Sequence, residues 1–501
     1  MNIHVRVRAA GYTANDGSYT MPNPARPTTS TIPSHNPTFL HFYTAKLHPL
    51  LQFHTANDGN RTMPKSCTYG KPAATPILIF VRKTMKQFLI SDRIGAKPKQ
   101  ENQDHMKNMA IAFAAALTAA LAFGADYAPE KWNLEAREKF AAQRFGIFIH
   151  WGIYANYAQG EWYQQRGSLD AEAYGRMVDG FYPSKFDAKE WVRVFKDAGA
   201  KYITITSRHH DGFSLWPTKV DDGYNIANTP FKRDILGELA KACDEADLQL
   251  NFYYSLMDWR RKDYPAGRAS TKCLGKQKGD YASYKRFMMA QITELIDRYR
   301  PGNIWFDGEW DHANFKNGKW MRTLDWELDS IYDLIHSKRV LVANNNHQPI
   351  RPKEDIQIFE RDLPGAGTLF SKNQPMTRDR PVEQCDVIQH SVWGYRIGEK
   401  RFRTPEDVCA MICRCAGKDT NLLMNIGPDG SGRLPKRAVE VMAEVGKWMR
   451  ANGHAIYGTR GCGLVKNPDG SETAKTKKGD AVYSITIPKD RVGYPVVEKI
   501  K

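Results

Sequence analysis

The chain has 501 residues, 42% of them hydrophobic and 25% charged, with 72 Lys/Arg against 55 Asp/Glu and a formal net charge of +17. That composition belongs to globular domains, either two or three ordinary ones or one large barrel with attachments. No apolar run reaches the roughly 18 residues of a mature membrane span. No basic block or nucleic-acid motif accompanies the charge, so no nucleic-acid partner is expected.

Residues 1–105 show no sustained helical or strand period and are rich in Thr, Pro, Asn and His. Thr13-Ala-Asn-Asp-Gly17 returns as Thr55-Ala-Asn-Asp-Gly59, but two copies without an apolar face cannot stack a core. This stretch is read as a low-complexity extension, either disordered or lying ahead of the true start. Met106-Lys-Asn108 then opens a short basic segment, Met109 to Ala122 is almost wholly apolar, and small residues follow to Ala125. That succession predicts a signal peptide over 106–125 and a secreted or periplasmic protein, with no stable membrane span after cleavage.

From about residue 140, strand and helix patterns alternate. Arg144–Trp151 reads as a buried strand with polar groups at its end. Asp187 predicts an N-cap, Glu190 a capping box, and Trp191, Val194, Phe195 and Ala198 a helical face that Gly199 ends. Further strands are expected at Tyr202–Ser207, Gln249–Ser255, Asn303–Asp307, Val340–Asn344, Ile356–Phe359, Val382–Asp386 and Asn421–Ile426. Helices are expected at Asp234–Ala246, on the face Met288 to Tyr299, near 322–337, after the Thr404-Pro405 cap, and from about Lys436 to Asn452. Eight strands with helices between most of them predict an α/β fold, a (β/α)8 TIM-like barrel over 126–453. Residues 454–501 contain one clear strand, Ala481–Ile487, and read as the start of a small C-terminal β-sandwich cut short. Cys409, Cys413 and Cys415 lack zinc-ligand spacing and are expected to be buried free thiols.

Chemistry-bearing residues recur where these strands end. Strand one runs into His150-Trp151, strand two into Ser207-Arg-His-His-Asp-Gly-Phe213, and strand three into Tyr253-Tyr254-Ser255. Strand four ends in Asp307-Gly308-Glu309-Trp310 and strand six in Glu360. In such barrels the strand ends carry the active site. Aromatic faces beside His and carboxylates suit a sugar, and glycoside hydrolysis needs two carboxyl groups. Asp307 is the candidate nucleophile, delivered by an apolar strand with Gly308 leaving room for close approach. Adjacent His209 and His210 point apart on an extended chain, which argues against a shared metal.

Several motifs then resemble one family. Phe145-Gly-Ile-Phe-Ile-His-Trp-Gly152, Gly160-Glu-Trp162, Ser207 to Phe213, Trp305-Phe-Asp-Gly308, Glu383-Gln-Cys385, Ser391-Val-Trp-Gly-Tyr395 and Asn421 to Pro428 are similar, in order, to the α-L-fucosidases of glycoside hydrolase family 29. The resemblance implies a retaining exo-enzyme that removes terminal α-linked L-fucose from glycans without metal or cofactor. It implies Asp307 as nucleophile, His150, His209 and His210 as sugar ligands, and Glu161 with Trp162 closing over the ring. Tyr254 matches a ring-facing Tyr, with Tyr253 a possible confusion, and Trp393 an aromatic wall.

The acid/base stays open between Glu360 and Glu383. Many relatives carry Trp before the latter, where this chain has Val382. Glu309 is a third option, poorly placed on the nucleophile's own loop. Two other readings remain: a non-catalytic fucose-binding relative, and a retaining α-glycosidase for another galacto-configured or 6-deoxy sugar.

Overall fold

The computed structural model describes residues 127–501 apart from 221–222, 317–318, 346–349 and 367–373. The expected extension 1–105 and signal segment 106–125 lie outside the described residues.

Eight parallel strands close into a barrel. They are β1 (Phe145–Ile149), β2 (Tyr202–Arg208), β3 (Gln249–Ser255) and β4 (Asn303–Asp307), and, after a hairpin of β5 (Ala313–Lys316) and β6 (Lys319–Arg322), β7 (Leu341–Asn344), β8 (Ile356–Glu360), β9 (Val382–Val387) and β10 (Thr420–Ile426). The closed order is β1-β10-β9-β8-β7-β4-β3-β2, so the eight expected strands form the barrel. Both faces of each strand are covered, which is why these segments read as near-continuous apolar runs. Phe148, Tyr253, Trp305, Ile358, Cys385 and Leu423 fill the barrel's interior. Ile147, Ile203, Phe252, Tyr254, Ile304 and Leu422 pack outward.

Helices Ala188–Asp197, Ile235–Ala246, Tyr281–Tyr299, Leu328–Ser337, Pro405–Gly417 and Lys436–Asn452 follow the strands. Asp187 caps the first by accepting the N–H of Lys189 and Glu190. Glu190 does not return to the cap as expected; it pairs with Arg193 at 2.7 Å, because a long carboxylate in the first turn finds its i+3 cation more readily. The complete capping box lies instead at Thr404 and Asp407. The helix expected from 322 begins at Leu328, since the preceding residues pair as the β5–β6 hairpin.

An added helix, Lys131–Gln143, closes the N-terminal end of the barrel. Its Arg137 and Asn133 hold the buried carboxylate of Asp355, and Phe140 packs on Tyr202 with ring centres 5.1 Å apart.

After the barrel, β11 (Arg460–Lys466), β12 (Glu472–Lys478), β13 (Ala481–Ile487) and β14 (Val496–Lys499) form one antiparallel sheet in simple meander order. It packs on helix Pro405–Gly417, so closely that a Cβ on Gly417 would lie 2.8 Å from that of Ala474. Cys409, Cys413 and Cys415 are buried and free. No helix among the described residues is long and apolar enough to cross a membrane.

Candidate active site

Strand β4 delivers Asp307 to the C-terminal rim of the barrel. Gly308, at φ 100°, turns the chain there, and a Cβ on it would lie 2.9 Å from that of Met257. Only glycine meets both conditions cheaply. The Tyr253 hydroxyl donates to Oδ2 of Asp307 at 3.2 Å, and the Trp310 indole donates to Oδ1 at 3.0 Å. Burial and the nearby charge of Glu360 outweigh these donors and raise the Asp307 carboxyl to about 7.

Three imidazoles lie beside it. His210 places Nε2 3.5 Å from Oδ2 of Asp307 and bonds Ser255 through Nδ1 at 2.7 Å. His209 stacks on Tyr253 at 5.4 Å. The two His rings do not point apart as expected on an extended chain. β2 ends at Arg208 and the turn that follows brings their centres to 4.2 Å.

His150 is oriented by a chain of bonds. The Asn425 amide donates to the carbonyl of Trp393 at 2.7 Å, so its oxygen must accept from Nδ1 of His150, also at 2.7 Å. A neutral ring with its proton on Nδ1 presents Nε2 as an acceptor. Burial lowers the His150 pKa to about 3 and keeps the ring neutral. Burial also lowers His209 and His210 well below the ordinary imidazole range.

Aromatic walls surround this floor. Trp162 stacks on Trp310 at 5.7 Å and meets His210 edge-on at 5.5 Å. Trp393 stacks on His150 at 5.1 Å. Glu161 is buried beneath them, where its Oε2 accepts the backbone N–H groups of Trp393 and Gly394 at 3.1 and 2.7 Å. One of its oxygens is thus committed to holding the Trp393 loop.

The three carboxyl candidates separate clearly in space. Glu360 ends β8 at the same rim as Asp307, where the Asn345 amide holds it at 2.9 Å. Glu383 is the second residue of β9, in register with Ile358, two residues below Glu360. There it accepts from Tyr202, at the opposite end of the barrel, and burial raises its carboxyl to about 8. Glu309 is buried in ion pairs with Arg322 and Arg351, each at 3.0 Å. Of the three, Glu360 alone shares the pocket with Asp307.

Residues 114–454 match the family model described as Alpha-L-fucosidase. The chain belongs to the α-L-fucosidase family. It is a glycoside hydrolase of that family. It is similar to the tissue alpha-L-fucosidase of Homo sapiens, 28% identical over 383 residues, covering 72% of this chain and 78% of that protein. It is also similar to the structure of alpha-L-fucosidase isoenzyme 1 from Paenibacillus thiaminolyticus, at 31% identity and a TM-score of 0.62, covering 72% of this chain and 86% of that one. The Thermotoga maritima alpha-fucosidase in complex with fucose matches at 27% identity and a TM-score of 0.56, covering 70% and 82%.

Within this fucosidase fold the expectation for Tyr254 is corrected. Its hydroxyl donates to Gln291 of an outer helix at 2.8 Å, away from the rim. Strand pleat gives the reason, since neighbouring residues face opposite sides. Tyr253 is in register with Trp305, and Ser255 with Asp307, so the odd-numbered set faces inward. The sequence did hold a signal: Gln249, Asn251, Tyr253 and Ser255 form the more polar face of β3, opposite Leu250, Phe252 and Tyr254. Trp310 and Asn425 were also missed as site residues. Neither stands out until the fold brings it to Asp307 or His150.

Proposed function

We propose that the protein is a retaining exo-α-L-fucosidase that releases terminal α-linked L-fucose from glycans by double displacement. Asp307 attacks the anomeric carbon while the bond to the leaving oxygen breaks, and Glu360 gives that oxygen its proton. Water then attacks the same carbon, Glu360 takes the water's proton, and Asp307 leaves as carboxylate. His150, His209 and His210 bind ring hydroxyls, with His150 accepting through Nε2. Trp162 and Trp393 cover the apolar parts of the sugar, and Glu161 holds the Trp393 loop in place.

The observation that carries this reading is the pairing at the rim. Asp307 is held by two donors, and burial first, with the charge of nearby Glu360 second, raises its carboxyl to about 7. Retaining enzymes work with carboxyl groups about 5–5.5 Å apart.

The test combines trapping and substitution. A 2-fluoro-fucosyl fluoride should label Asp307, found by peptide mapping. Asp307→Gly should lower hydrolysis of a nitrophenyl α-L-fucoside by at least about three orders of magnitude. Near-wild-type release by that variant would overturn the assignment. Tight fucose binding without turnover in the wild type would favour a non-catalytic relative, and preference for another glycone in a panel of aryl glycosides would favour a different α-glycosidase.

We also propose that the protein is exported through the segment starting at Met106. Support comes from the basic start, apolar run and small residues there. A mature N-terminus ahead of Met106 would refute it.

A further inference from the structure

Two guanidiniums sit on the aromatic walls of this pocket. Arg361 follows Glu360 directly, in left-handed backbone at φ 53°, and its Cζ lies 5.2 Å from the centre of the Trp393 ring. Arg268 lies over Trp310, the ring that donates to Asp307, at 5.4 Å. Among the described residues neither guanidinium has a carboxylate partner at ion-pair distance.

Arg268 stands on a clamped turn. Its backbone N–H donates to the carbonyl of Asp311 at 2.8 Å. The Asp311 carboxylate accepts from the N–H of Ala269 and Ser270 and from the hydroxyls of Ser270 and Tyr264. The turn is thereby fixed to the loop that carries Trp310.

The surrounding loop is basic. Between β3 and helix Tyr281–Tyr299 it carries Lys262, Arg268, Lys272, Lys276 and Lys278. Its acids are already engaged: Asp258 with Arg208, Asp263 with Arg261, and Asp280 as a helix cap.

A guanidinium stacked on a ring keeps its charge and presents a planar fork of donors. That fork matches a carboxylate or a sulfate better than a neutral hydroxyl. The departing group leaves on the side of the residue that protonates it, which in the fucosidase reading is Glu360. Arg361 is next in the chain, with its guanidinium on the Trp393 ring.

Resting on that reading, we propose that the leaving-group side of the site takes an anionic aglycone: a glycan in which the sugar bonded to fucose carries a carboxylate or a sulfate ester. Arg361 is the primary anion ligand and Arg268 the second. Neither is a catalytic residue; both act on which fucosides are chosen.

The experiment compares 4-nitrophenyl α-L-fucoside with its 3-carboxy and 3-sulfooxy counterparts, which keep the same chromophore. For the wild type, kcat/KM for an anionic aglycone should exceed that for the neutral one by about 10-fold at low salt. The excess should shrink toward unity in roughly 0.5 M salt as screening grows. Arg361→Gln should bring the anionic-to-neutral ratio close to one. Arg268→Gln should lower it partly. The better of the two anions identifies the source as a carboxylate-bearing or a sulfated sugar.

A wild-type ratio of one or below, or a ratio that neither substitution moves, overturns this inference and leaves the fucosidase reading standing. Failure of all three fucosides to react overturns both.

Discussion

The hydroxyl of Tyr253 donates to Oδ2 of Asp307 across 3.2 Å. Its neighbour Tyr254 reaches outward to Gln291. Consecutive tyrosines therefore have unrelated duties, and substitution separates them. Tyr253→Phe removes a donor that lowers the Asp307 pKa. Its kcat should fall by about 10-fold, and the acid limb of kcat/KM should move to higher pH. Tyr254→Phe should leave kcat and the pH profile unchanged while costing about 1–3 kcal/mol of stability for the Gln291 amide oxygen that loses its donor. Equal kinetic losses in the two variants would contradict the inward placement of Tyr253.

The raised carboxyl of Asp307 fixes a pH dependence. It must be ionised to attack, and its value in the fold is about 7. Activity in the free enzyme should therefore rise with pH through about 7. Glu360→Gln removes a neighbouring charge that raises Asp307, so the residual activity of that variant should have its acid limb at lower pH.

Stability follows with the opposite sign. The folded value lies above the ordinary 3.8, so the fold favours the protonated form. Below about pH 4 both states are protonated and the group is neutral in its effect. A penalty then grows as pH rises toward about 7 and stays constant above it. Asp307→Asn should raise Tm by roughly 5 °C at pH 8 and leave it little changed at pH 4. Equal shifts at both pH values would show that the carboxylate is well solvated.

Asn425 sets the tautomer of His150 through two bonds of 2.7 Å. Asn425→Asp would place a charge beside Nδ1, raise the imidazole pKa, and convert Nε2 from acceptor to donor. The loss of the Trp393 carbonyl's partner would also loosen that wall. The expected result is a fall of about 10–100-fold in kcat/KM at neutral pH, with an imidazole titration moved upward in the NMR spectrum. An unchanged imidazole titration would refute the proposed network.

The two remaining carboxyl candidates can be told apart by leaving group. Glu360→Gln should slow aryl fucosides with poor leaving groups by about 10²–10⁴-fold, spare activated ones, and respond to azide. Glu383→Gln should stay within about 3-fold of wild type on both and ignore azide, because its place near the far end of the barrel is compatible with a neutral side chain. The reverse pattern would move the acid/base to Glu383.

The eight barrel strands were legible in the sequence because parallel strands covered on both faces must be apolar throughout, and polar groups gather where such strands end. Asp307 and His150 stood out for that reason. What remained hidden depended on direction and distance across the fold. Tyr253 and Tyr254 have the same chemistry, and the register with β4 decides which faces Asp307. His209 and His210 come together because the chain turns after Arg208, a bend that composition does not encode. Glu360 and Glu383 both lie on barrel strands, and it took the β8–β9 register to place one at the rim and the other two residues below it. Local sequence determines strands by burial and period. Only tertiary structure decides which side chains share one small volume, because that volume is enclosed by residues hundreds of positions apart.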